Sequence, residues 1–414
     1  MTSSFFRSRW VEQPEHVRVV PEGGLPQGFR AAGAAAGIKP SGGLDVALIV
    51  SDAPETTSAA RFTASGVLAA PVLVTQERSR LDALRAIAAN SGNANAATGR
   101  PGLDEAARMQ GAAAMVARVP EDRVAVCSTG VIGVQLDGRK VTKGLLAAGA
   151  DLRPDGDADA CAAIMTTDAF EKRATLDVDL PSGTVRLAAQ AKGAGMISPR
   201  FATMLCFVET DAALAAETAD LLLGVTVKRS FDRISVDGQL STNDTAILLC
   251  GGASGVVVAP ESEDELRFGE ALDALLRQLA LDMARDGEGA RRVGRVVVRG
   301  GNGEGVERVA RAVADSPLVK TALYGGDPNW GRIAQAVGAA LPGTAPLAFD
   351  ISIEGTLVCS GGFGVPVEAG AVERAVQGDE VDIAVALPGD GFETEVFFSD
   401  LGHEYITINA EYTT

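Results

Sequence analysis

The chain has 414 residues, 46% of them apolar, and 37 Lys and Arg against 54 Asp and Glu give a net charge of −17. That length can bury a substantial core as two domains or one layered α/β body, and the acidity argues against nucleic acid and anionic membrane surfaces as partners. Only His16 and His403 are present, which excludes His-rich zinc sites and leaves any Ser-His-Asp triad dependent on a terminal histidine, so a side-chain nucleophile here needs another base.

From the N-terminus, Phe5, Phe6 and Trp10 are interrupted by Arg7, Arg9, Glu12 and Glu15. No continuous apolar core of a signal peptide results, and a cytoplasmic protein is expected. Charged residues break every longer apolar run short of a membrane span. Cys127, Cys161, Cys206, Cys250 and Cys359 are odd in number and lie far apart in apolar surroundings, so they read as reduced core residues. Gly28 to Gly43 is rich in small residues and ends in a turn signal, and Asp45 to Val50 then reads as a buried strand. Asn90 to Gly99 is a polar loop whose asparagines serve either as turn formers or as amides lining a site. Asp104 to Val119 is alanine-rich and predicts a helix with Leu103 just ahead of it. Arg123 to Cys127 predicts a strand running into Ser128-Thr129-Gly130. A Thr-Gly pair at a strand end is most often a turn, yet it can also offer a hydroxyl and a backbone N–H together, the donors an oxyanion needs. Ala162 to Asp168 repeats the pattern of apolar residues ending in hydroxyls, Thr166 and Thr167, and a carboxylate.

The stretch Lys192 to Leu205 combines a cation, two glycines and a proline with Ala202-Thr203 at the mouth of the apolar run Leu205 to Val208. That run predicts a short buried strand or helix start. The plain reading is a loop feeding a core element. The chemical reading is a threonine whose own amide bond is cut, so that the freed amine serves as base for its hydroxyl. Ser230 to Asp244 is polar and loop-like ahead of a strand Thr245 to Cys250, and Glu261 to Arg285 predicts a long amphipathic helix. Glu288 follows its C-terminus, where the helix dipole disfavours a carboxylate, so another reason for it is expected. One Asp and one Glu there are too few to argue a metal site. The glycines after the strand Arg295 to Arg299 miss the G-x-G-x-x-G spacing. Asp327 to Arg332 reads as a rigid turn, and Leu347 to Ile353, Val381 to Leu387, Thr394 to Phe398 and Tyr405 to Asn409 read as strands.

Taken in order from Gly28 to Thr414, these segments resemble the ornithine acetyltransferase (glutamate N-acetyltransferase) family of arginine biosynthesis. The resemblance rests on Gly37-Ile38-Lys39-Pro40-Ser41-Gly42, Asn90-Ser91-Gly92-Asn93-Ala94-Asn95, Ser128-Thr129-Gly130-Val131-Ile132-Gly133 and Ile164-Met165-Thr166-Thr167-Asp168. It continues through Lys192-Gly193 with Gly195-Met196-Ile197, Ala202-Thr203-Met204-Leu205, Val236-Asp237-Gly238, Ser241-Thr242-Asn243-Asp244, Asp286-Gly287-Glu288-Gly289, Asp327 to Arg332 and Ile408-Asn409-Ala410. What the resemblance implies is an α/β fold with mixed sheets layered against helices, and a precursor that cuts itself between Ala202 and Thr203. An α chain 1–202 and a β chain 203–414 would then intertwine, and the resemblance implies a dimer of αβ pairs. Thr203 would be the nucleophile and Thr129 with Gly130 the oxyanion hole; Thr166, Thr167, Lys192, Thr203, Glu288, Asn409 and Thr414 would contact substrate. The implied reaction is a ping-pong transfer of acetyl from N-acetyl-L-ornithine to L-glutamate with no metal or resident cofactor, acetyl-CoA being left open as a second acetyl donor.

The chain departs from the family pattern at several positions. Phe201, preceded by Arg200, stands where Met is common, Ala97 replaces a cysteine, Gly326 a glutamate and Thr413 an arginine, and Phe62 to Pro71 lacks the usual Asn-Arg. Thr203, Thr129 and Gly130 are retained, so the departures bear on substrate identity. A hydrolase of related fold, a specialised acyltransferase paralogue and an uncleaved binding protein are the competing readings.

Overall fold

The computed structural model describes residues 5–198 and 204–411. Among these, two sheets stack face to face with helices on both outer sides. One sheet has the order Phe29–Ala34, Val46–Ser51, Ala86–Asn93 and Val124–Val131; the other runs Val17–Val19, Lys172–Leu180, Gly183–Lys192, Leu205–Thr210, Thr245–Cys250 and Thr57–Phe62.

Strand periodicity explains the stacking. Successive side chains point to opposite faces, so Leu205 and Phe207 enter the core between the sheets while Cys206 and Val208 face the helices Ala216–Arg229 and Glu263–Arg285. In the other sheet Ile87, Ala89, Ala125 and Cys127 point inward, and Ala86, Ala88, Val124 and Val126 pack under Gly99–Ala117 and Gly138–Ala150. Where both faces are buried, as in Val46–Ser51 and Thr245–Cys250, the strand is a nearly continuous apolar run, whereas Lys172–Leu180 alternates with polar residues. Each fully buried Phe or Leu in such a layer contributes about 1.5–3 kcal/mol. A third sheet, centred on Glu393–Ser399, Val293–Arg299 and Glu380–Ala386, packs on Gly303–Ala314, Pro317–Gly325 and Trp330–Ala340.

The two sequence halves share one sheet. Gly183–Lys192 and Leu205–Thr210 are adjacent antiparallel strands with Lys192 opposite Leu205, and Leu205–Thr210 also pairs with Thr245–Cys250, which pairs with Thr57–Phe62. The five cysteines are free and buried, and no helix among the described residues is long and apolar enough to cross a membrane.

Four expected boundaries move. The strand Ala86–Asn93 takes in Asn90 to Asn93, because Asn90 and Ser91 find side-chain partners at Asn93, Ser128 and Ala163 and need no solvent. The next helix starts at Gly99, before Pro101; the first-turn amides have no intrahelical partner, so proline costs nothing there. The strand expected at Leu347 begins only at Asp350. The segment Tyr405 to Asn409 is no strand but part of a helix, His403–Glu411. Its Tyr-Ile-Thr-Ile run favours a strand by propensity, but the segment joins none of the sheets among the described residues. Its backbone pairs with itself, and its side chains reach the site described next.

Candidate active site

A cavity of about 160 Å³ gathers residues from across the chain, among them Thr129, Gly130, Thr166, Thr167, Lys192, Glu288 and Asn409. All seven of the described candidates from the sequence therefore meet in one place. Ala202, Thr203 and Thr414 lie outside the described residues.

Thr129 and Gly130, the pair expected as an oxyanion hole, sit where two parallel strands end. Ser91 pairs with Thr129 and Gly92 with Gly130, and the register then breaks at Asn93. Gly130 has φ +128°, and a Cβ there would lie 2.6 Å from Asn93 N. Only glycine fits, because the backbone needs both the positive φ and the close approach. The strand end is pinned by Asn243, whose Nδ2 donates to Ser128 O at 2.9 Å and to Ala94 O at 2.7 Å.

Lys192 is 3% exposed, and its Nζ donates to Thr129 Oγ1 at 3.1 Å. Burial pushes its ammonium below the usual lysine value, opposed chiefly by Asp168. Asp168 belongs to a buried ion triad in which Lys172 Nζ lies 2.7 Å from Asp168 and 2.5 Å from Asp286. Burial would raise the Asp168 carboxyl, but Lys172 and Lys192 outweigh it and hold it at about 2. Asp286 caps the helix Glu263–Arg285. Glu288, two residues on, turns into the cavity, accepts from Asn409 Nδ2 at 2.5 Å, and packs so close to Gly195 that a Cβ there would lie 2.7 Å from its carboxylate. That is why a carboxylate follows this helix end: Asp286 answers Lys172, and Glu288 answers the cavity.

Directly after Thr203, Met204 is buried, with its N–H donating to Asp244 Oδ1 at 2.9 Å and its carbonyl accepting from Thr245 N at 3.1 Å. On the other side Asp237 takes the amides of Met196 at 2.6 Å and Ile197 at 3.0 Å, together with the Tyr405 hydroxyl at 3.3 Å. Burial raises both Asp237 and Tyr405 above their ordinary values.

Asp237, Thr242, Asn243 and Tyr405 also line the cavity, though the sequence reading gave them no role. An Asp ahead of Gly238 signalled only a turn, and Tyr405 was hidden by the strand assignment. Neither His16 nor His403 is among the lining residues; His403 meets Tyr324 edge to face and His16 meets Arg267 O. Among the described residues no group of three or more His, Cys, Asp or Glu is placed to hold a metal ion.

The chain is similar over nearly its whole length to known proteins. The chain is 41% identical over 393 residues to the arginine biosynthesis bifunctional protein ArgJ of Symbiobacterium thermophilum, covering 94% of this chain and 98% of that protein. It is 39% identical over 417 residues to the glutamate N-acetyltransferase of Methanocaldococcus jannaschii, covering 96% of this chain and all of that protein. A crystal structure of ornithine acetyltransferase complexed with ornithine, from Mycobacterium tuberculosis, matches at 36% identity over 45% of this chain and 99% of that one, with a TM-score of 0.41. The α/β layers, the cavity and the curated relatives make this chain an acyltransferase. More narrowly, it belongs to the ArgJ family, which matches residues 30–414.

Proposed function

We propose that the chain is a glutamate N-acetyltransferase of arginine biosynthesis that moves acetyl from N2-acetyl-L-ornithine to L-glutamate through Thr203. One observation carries the reading: Thr129 with Gly130, Lys192 and Glu288, from three separate segments, line one cavity.

Maturation comes first. The Thr203 hydroxyl adds to the Ala202 carbonyl, the C–N bond breaks to leave an ester, and water splits the ester, giving chains 1–202 and 203–414. The sheet shared by Gly183–Lys192 and Leu205–Thr210 supports an α and β pair that stays together, and we read the assembly as an α2β2 enzyme of the cytoplasm. The new α-amine, with an unperturbed pKa of about 7.7–8.0, is a competent base near neutrality, which suits a cavity that no histidine lines.

In the first half-reaction the Thr203 amine takes the hydroxyl proton as Oγ attacks the acetyl carbon. The Thr129 hydroxyl and Gly130 N–H stabilise the oxyanion, and the ammonium returns the proton to the departing ornithine nitrogen. In the second, the glutamate amine attacks the acetyl ester, and Thr203 is restored with its proton. Lys192 and Glu288 supply opposite charges, so one cavity can receive an anionic and a cationic amino acid in turn. The acetyl group travels on the protein, with no resident cofactor; acetyl-CoA is a second donor to test.

The test is acetyl transfer with purified enzyme. Formation of N-acetylglutamate from N-acetylornithine, dependent on glutamate, supports the reading. Acetate release independent of glutamate would instead make the protein an amidohydrolase, and acetyl-CoA in place of N-acetylornithine shows whether the enzyme has a second donor.

A further inference from the structure

The ion triad beneath the cavity has no part in the chemistry above, yet it joins three of the segments that build the site. Asp168 Oδ1 accepts from Lys172 Nζ and from Gly193 N, both at 2.7 Å, and Asp168 Oδ2 accepts from Thr166 N at 3.0 Å. Asp286 accepts from Ala169 N at 3.0 Å and from Lys172. Thus Asp168 holds the residue after Lys192 and the backbone of Thr166, while Asp286 sits two residues before Glu288. None of the three triad members lines the cavity.

The charges do not cancel. Two carboxylates surround one ammonium, so the triad carries a surplus negative charge; Asp168 and Lys172 both act on Lys192, Asp168 the more strongly. Lys192 is faced by the carboxyl groups of Asp168, Asp244 and Glu288, burial raising Asp244 well above its ordinary value, and by the cations Lys172 and Lys39. Of the anions, Asp168 acts on it most strongly. A buried lysine without a nearby anion sheds its proton.

We infer that Asp168 is a positioning residue that keeps Lys192 a cation facing the cavity, and so maintains a seat for the carboxylate of an amino-acid substrate. The inference rests on the acetyl-transfer reading for its ligand. Asp168 touches neither substrate nor reacting atoms; it acts through Lys192. Asp286 shares the triad but not this task.

The experiment is isothermal titration calorimetry of L-glutamate with the processed enzyme between pH 6.5 and 9.5, comparing wild type, D168N, D168E and D286N. Where D168N does not fold, Asp168→Ser keeps an acceptor for the Gly193 amide without the charge. D168N is expected to weaken glutamate binding roughly tenfold at neutral pH, with the loss growing as pH rises, because Lys192 then deprotonates at lower pH. D168E, which keeps the charge, restores the wild-type pH dependence, and D286N retains it. Equal pH dependence in wild type and D168N, or the same shift in D286N as in D168N, would overturn the inference and leave the triad a purely structural element. A wild type that transfers acetyl but shows either of those patterns sinks only the inference. A wild type that binds no glutamate and transfers no acetyl contradicts the proposed function as well.

Discussion

Lys192 Nζ donates to Thr129 Oγ1 at 3.1 Å, and this bond decides how the threonine hydroxyl can be used. An ammonium has donors only, so Thr129 is the acceptor in this pair and its own hydrogen is left for another partner. In the proposed reaction that partner is the oxyanion. Thr129→Val keeps the shape, removes the donor and leaves Lys192 without its bond. Turnover is expected to fall about 10²–10³-fold with the fold intact. Steady-state kinetics beside a circular dichroism spectrum check this, and a valine variant with wild-type kcat excludes the threonine from the oxyanion hole.

Glu288 is held by Asn409 at 2.5 Å and backed by Gly195. If its negative charge receives the cationic amino acid, Glu288→Gln slows the ornithine half-reaction more than the glutamate one. Isotope exchange of each amino acid with its acetylated form measures the two halves separately. Unchanged exchange of both would remove Glu288 from substrate recognition.

Gly130 tests how tightly the strand end is built. At φ +128°, with a Cβ 2.6 Å from Asn93 N, Gly130→Ala should lose about 2–4 kcal/mol of stability as well as activity. Urea denaturation reads the first directly. An alanine variant as stable as wild type means the backbone there is looser than described.

A buried carboxyl far from the chemistry governs part of the pH dependence. Glu209 is fully buried in the central sheet, with Gln190 Nε2 donating to its Oε2 at 3.1 Å. Desolvation raises it from 4.5 to about 8. Because the folded value lies above the unfolded one, the folded state holds an extra proton between them. The stability Glu209 contributes is thus fully present below pH 4.5 and is lost as pH rises towards about 8, with a slope of up to about 1.4 kcal/mol per pH unit. Glu209→Gln should therefore gain on wild type steadily from pH 5 to pH 8 in denaturation midpoints. Parallel pH profiles for the two proteins would show that the carboxyl is already ionised in the fold.

The sequence showed the buried strands well, because a layer apolar on both faces leaves continuous runs such as Thr245 to Cys250. It showed Thr129, Gly130, Lys192 and Glu288 through their place in an ordered series of motifs, each weak alone. It could not show how the residues meet, since Asp286 lies 114 residues from Lys172 and their pairing exists only once the two segments have packed. Tyr405 and Asn409 were misplaced on a strand because local β propensity says nothing of whether a sheet edge is available. Gly326, which read as a departure from the family pattern, has φ +63° at the cap of Pro317–Gly325, a position that favours glycine.

The central claim is that Thr203 becomes an N-terminal nucleophile. The direct test is the intact mass of the purified protein under denaturing conditions, beside a Thr203→Ala variant. Two fragments of similar size are expected from the wild type, the second beginning at Thr203, with the cut absent from the variant. A single wild-type chain of 42.4 kDa would contradict the account.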